Sequence, residues 1–167
     1  MQRLMQVLLV AFAMILVPAS PAGAKEITRI SCEELVPILE SQGFKATVER
    51  PHVVSAESKE GLRVFFFLFG EDESILAFAG FMAEGDPNMV KAVNDWNSTM
   101  RYSRAYVTRE GNAVIELDLD LSGGVTPDRV ARFARTTRIS IAAYAVHLRS
   151  QHEPQQAPEE PVPQERR

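Results

Sequence analysis

Three acids alternate in the segment AVIELDLDL: Glu116, Asp118 and Asp120. On a β-strand that spacing sets their side chains on one face, about 6–7 Å apart. A row of carboxylate oxygens could hold a calcium ion if a loop supplied further ligands. The plainer reading is a solvated strand face whose charges discourage edge pairing. It is favoured, because like charges in a high dielectric need no compensation. Four arginines, Arg129, Arg132, Arg135 and Arg138, recur at every third residue. On a helix they form a slanting basic ridge that could meet anionic lipid headgroups or an acidic partner. Pairing with the acidic strand, or with water, is their ordinary fate.

A third cluster lies in KAVNDWNSTMRYSRAY, where Asn94, Asp95 and Asn97 flank Trp96, the chain's single tryptophan. Polar groups around a large aromatic suit a small-ligand pocket or a hydrolase site. They equally suit a helix end, where a side-chain amide satisfies open backbone groups. Beyond these, signatures of catalysis are missing. The chain has no G-x-S-x-G elbow, no H-E-x-x-H and no Gly-rich phosphate loop. Its histidines, His52, His147 and His152, are scattered and read as ordinary surface residues rather than a triad or a zinc site. Cys32 is the single cysteine, so an internal disulfide is impossible. It falls just after a helix N-cap, where a thiolate is favoured, or it is a small buried apolar residue. No metal ligand set and no cofactor site emerges, and the expected class is non-enzymatic.

The ends of the chain speak to location. Residues 1–24 combine Arg3, an apolar run from Val7 to Val17, and Ala22-Gly23-Ala24. That is the layout of a secretory signal peptide, with cleavage expected after Ala24 and a periplasmic or secreted product. The apolar run is short of the ~20 residues a membrane-spanning helix needs, and no later segment is long and apolar enough to span. Cleavage would remove one arginine and no acid, leaving 17 basic against 22 acidic side chains, a net charge near −5. A mildly acidic exported protein lacks the excess positive charge that nucleic-acid binding uses. Residues 151–167, rich in Pro, Gln and Glu, are expected to form a disordered tail. Residues 25–150 remain as one domain.

Several elements must position these residues. Ser31 and Glu34 make a capping box for a first helix, Gly43 stops it, and Pro37 interrupts it. A period of two follows in KATVE and HVVSAE. GLRVFFFLFG places Val64, Phe66 and Leu68 on one face and Phe65, Phe67 and Phe69 on the other, and ILAFAGFMA is also apolar on both sides. Strands buried on both faces belong at the centre of a sheet. A second helix begins with Asp86 as N-cap and Pro87 as first residue, and carries Met89, Val93, Trp96 and Met100 on one stripe. A hairpin turning at Glu110-Gly111-Asn112 and a last helix capped by Thr126 complete the order α-β-β-β-β-α-β-β-α. The fold class is α+β with an antiparallel sheet. Gly123-Gly124, ahead of the last helix, resembles an anion-binding turn, and more simply lets the chain reverse.

The Asn-aromatic-Asn helix end (Asn94, Trp96, Asn97), an aromatic strand with Tyr106, the acidic strand with Glu116, Asp118 and Asp120, and the Gly123-Gly124 turn occur in that order. Together they resemble the YbjN-domain family, described as bacterial sensory transduction regulators. The resemblance extends to about Leu148 and is densest over residues 91–135. It implies the α+β fold of type III secretion chaperones, which commonly pair into dimers and grip partner proteins. It implies no catalytic residue.

Phe65, Phe66, Phe67, Phe69, Phe78 and Phe81 are too many for one buried face. Large exposed apolar patches mark interfaces. Phe65, Phe67, Phe69, Phe78 and Phe81 are therefore the candidate partner surface, for a second copy or another protein, unless the last helix closes that face.

Overall fold

The structure, a computed structural model, describes residues 26–83 and 86–152. The expected signal peptide, its cleavage point and the tail from residue 153 onward lie outside the described residues. The observed order is α1 (Cys32–Ser41), β1 (Phe44–Arg50), β2 (Val53–Ser58), β3 (Arg63–Phe69), β4 (Ser74–Phe81), α2 (Met89–Thr99), β5 (Arg104–Val107), β6 (Ala113–Asp120) and α3 (Pro127–His152). This is the α+β order that periodicity predicts.

Local chemistry sets the helix ends. The Ser31 side chain accepts from the Glu34 N–H, and the Glu34 carboxylate accepts from the Ser31 N–H, so both members of the capping box are in place. Gly43, at φ 91°, takes the left-handed conformation that ends α1. Pro37 sits inside the helix on its exposed face, where water can satisfy the carbonyl that loses its partner. The Thr126 hydroxyl accepts from the Arg129 N–H and caps α3 at Pro127.

The start of α2 differs from expectation. The helix begins at Met89 with Asn88 as N-cap, two residues after the predicted start. The Asp86 side chain accepts from the Asn88 N–H, and the Asp86 carbonyl accepts from the Met89 N–H. Asp86-Pro87 therefore form a preliminary turn that feeds the helix. The end differs too. Met89, Val93 and Trp96 are buried, but α2 stops at Thr99 and the chain becomes extended at Met100, which is 45% exposed. The apolar stripe is one residue shorter than its spacing suggests.

All six strands form one antiparallel sheet in the order β1-β2-β3-β4-β6-β5. β3 and β4 are central, as their two-sided apolar pattern requires. One face carries Val54, Ala56, Val64, Phe66, Leu68, Ile75, Ala77, Ile115 and Leu117, and it packs against Leu35, Leu39, Trp96, Phe133, Ile141 and Tyr144 from the three helices. α3 thus lies on the same side as α1 and α2 and does not close the second face. An antiparallel bridge between Ile27 and Val125 ties the start of the described chain to the turn before α3.

Candidate functional site

Register puts Phe65 opposite Phe78, Phe67 opposite Leu76, and Val53 opposite Phe67 on the sheet face away from the helices. Alternation along the strand adds Phe69 to this face. Phe67 is the hub of the cluster. Its ring centroid lies 6.4 Å from Phe65, 6.1 Å from Phe69 and 6.3 Å from Phe78, the last in an edge-to-face arrangement. Such pairing holds the rings as a continuous surface. Val53 beneath it is 6% exposed, whereas Phe69 at the rim is 51% exposed. None of these four phenylalanines joins the core cluster.

Phe81 is placed differently. It lies three residues after Phe78, an odd interval, so it points to the helix side. Its ring meets Tyr144 edge-to-face at 5.5 Å. The candidate surface is therefore Phe65, Phe67, Phe69 and Phe78, and Phe81 belongs to the other layer. Leu76 takes its place on the outer face, a residue the count of aromatics passed over.

At its β5 end this face becomes polar. Glu116 sits opposite Phe78 on one side and Arg104 on the other. It accepts a hydrogen bond from the Tyr106 hydroxyl at 2.7 Å and is paired with the Arg104 guanidinium. These partners cover it, so Glu116 is 8% exposed rather than solvated as the strand pattern suggests. Burial, then the bond to Glu116, pushes the Tyr106 phenol up to about 12, and the same carboxylate raises Arg104. Asp118 and Asp120 are exposed. The Asp120 side chain accepts from the Ser122 N–H, and the Ser122 side chain, followed by that N–H, lowers its pKa. Among the described residues, no group of three or more His, Cys, Asp or Glu is arranged to hold a metal ion.

The Asn94/Trp96/Asn97 cluster resolves into structure. Trp96 is 2% exposed, meets Tyr144 edge-to-face at 5.0 Å, and donates its indole N–H to the Ser103 hydroxyl. The Asn97 carboxamide donates to the Ala105 carbonyl at 2.9 Å and accepts from the Ala105 N–H at 3.0 Å. Asn94 is exposed, and Asp95 pairs with Lys91 one turn earlier. Gly123 and Gly124 take φ of 83° and 86°, and a Cβ on Gly124 would lie 2.9 Å from a Glu26 carboxylate oxygen. That turn needs glycine for its shape.

The arginine ridge divides. Arg129, Arg132 and Arg135 line one groove with Asp118, whereas Arg138 pairs with Glu60 across the molecule. Nine residues are two and a half helical turns, so Arg129 and Arg138 face opposite ways. Cys32 is 6% exposed. Burial, followed by the charges of Glu33 and Asp72, pushes its thiol up, against the pull of the backbone groups of His52 and Val53. The net direction favours the protonated thiol. Nearby, His52 Nδ1 lies 2.7 Å from Asp72 Oδ1, and both residues have positive φ. No helix among the described residues is long and apolar enough to cross a membrane.

Comparison with known proteins fits this architecture. The structure of YbjN from E. coli superposes with a TM-score of 0.61 at 15% identity, covering 75% of this chain and 94% of that one. At that identity the likeness is one of fold. SycH, the type III secretion chaperone of Yersinia pestis in complex with a YscM2 fragment, matches at a TM-score of 0.47 and 12% identity, covering 68% of this chain and 98% of that one. No curated protein matches by sequence. The family model YbjN, "Putative bacterial sensory transduction regulator", matches residues 31–150, and the chain belongs to that family.

Proposed function

We propose that this protein works after export as a non-enzymatic protein-binding module, and that the helix-free face of its sheet is the binding surface. The observation that carries the reading is the contiguous patch of Phe65, Phe67, Phe69, Phe78 and Leu76, which all three helices leave uncovered. A layer of this kind is stable when another layer covers it. A second copy of the chain is the first occupant to consider, because a flat apolar face can pack isologously against itself. The layout of residues 1–24 supports export, and the family description supports a regulatory module.

A photo-crosslinking amino acid at position 67, compared with one at Val146 on the exposed side of α3, tests the surface in cells. The expected result is an adduct of twice the monomer mass from position 67 and none from position 146. Equal adducts from both positions, or none from position 67, would remove the sheet face from consideration.

A further inference from the structure

Separately from the phenylalanine face, the sheet has an edge that the chain leaves open. The Leu121 N–H donates to the Glu73 carbonyl on the β4 side, and the Thr108 N–H donates to the Asn112 carbonyl on the β5 side. Backbone groups alternate in direction along a strand. The N–H and C=O of Asp118 and Asp120 therefore point toward β5, but β5 pairs with β6 only over residues 113–116. In that register Tyr102 would come next, opposite Asp118. It instead takes φ 67°, and the chain turns away. Among the described residues the Asp118 and Asp120 backbone groups find no backbone partner. The contrast with Ala105 is direct: there a side chain, Asn97, closes the outer edge of β5.

A groove of about 850 Å³ runs beside this open edge. Asp118 stands on one wall. Arg129, Arg132, Arg135 and Ile139 of α3 stand on the other. The three arginines are exposed and make no ion pair among the described residues, and Ile139 is 55% exposed. Placed in the groove, an extended chain would send alternate side chains to the two walls. We propose that this edge is a second binding site, which takes an extended peptide with acidic side chains at every second position, added as a strand beside β6. Main-chain hydrogen bonds to Asp118 and Asp120 hold the peptide, and alternate side chains select it. Its acids meet Arg129, Arg132 and Arg135, and neutral or basic residues between them face Asp118 and Asp120. A peptide of opposite phase sets acid against acid and is rejected.

The test is fluorescence anisotropy of the chain from Lys25 to Arg167 with a labelled peptide of alternating Glu and Thr. The expected result is saturable binding that salt weakens. It falls at least tenfold in the double variant Arg132→Glu/Arg135→Glu and at least tenfold when alternate peptide amides are N-methylated. Phe67→Asp leaves it unchanged. Unaltered binding of the N-methylated peptide would overturn strand addition. Unaltered binding by the arginine variant, loss in Phe67→Asp, or affinity for anionic phospholipid vesicles without any for the peptide would overturn the site.

Discussion

The carboxamide of Asn97 bonds Ala105 as a neighbouring strand would, giving one hydrogen bond and taking one. A helix residue thereby completes the edge of β5, and the step from α2 to the sheet is fixed at a single point. Trp96, beside it, anchors the same helix in the core. Losing both bonds should cost roughly 1–3 kcal/mol. Asn97→Ala is expected to lower stability by that amount in urea titration, with dimer formation unchanged. An unaltered unfolding midpoint would show that the bonds are dispensable.

Gly123 and Gly124 share a left-handed conformation but not their surroundings. A Cβ on Gly123 meets nothing within 4 Å, whereas one on Gly124 runs into Glu26. Both alanine variants should lose about 1 kcal/mol to backbone strain. Gly124→Ala should lose slightly more, because the Glu26 side chain must move aside. Thermal melts of the two variants, side by side, read the difference directly.

Cys32 should behave as a core residue. Its buried thiol is expected to react with Ellman's reagent far more slowly in the native protein than in urea. The fold holds the proton on this thiol above the ordinary value of 9.0. Unfolding therefore releases a proton once the pH exceeds that value, and stability falls as pH rises further. Tyr144 and Tyr106, both raised from 10.0 to about 12, act in the same direction at higher pH. Denaturation curves between pH 7 and pH 11 should show Cys32→Ala losing less stability than the parent as the solution becomes alkaline. Parallel losses would mean that folding leaves the thiol's proton affinity unchanged.

Much of this fold was legible because period and punctuation agree. The capping box at Ser31 and Glu34, the stop at Gly43, and the two-sided strands of β3 and β4 are local signals, and each came out as read. What escaped depends on neighbours distant in sequence. Nothing local to Glu116 says that Arg104 and Tyr106 will cover it. The pairing of Arg138 depends on Glu60, 78 residues away. Phe81 is a different case. Its odd separation from Phe78 already placed it on the other face, and counting aromatics without their parity hid that. Side-chain polarity likewise does not reveal the open backbone edge at Asp118, since it depends on where Tyr102 leaves the sheet.

On the proposed function, a second copy of the chain covers the phenylalanine face. Multi-angle light scattering of the chain from Lys25 to Arg167, run with its Phe67→Asp variant, tests it most directly. The expected result is twice the monomer mass for the parent and the monomer mass for the variant, which stays folded because Phe67 lies outside the core but melts at a lower temperature, since it loses the stabilisation that association adds. A parent that stays monomeric at every concentration, or a variant that still dimerises, would contradict it.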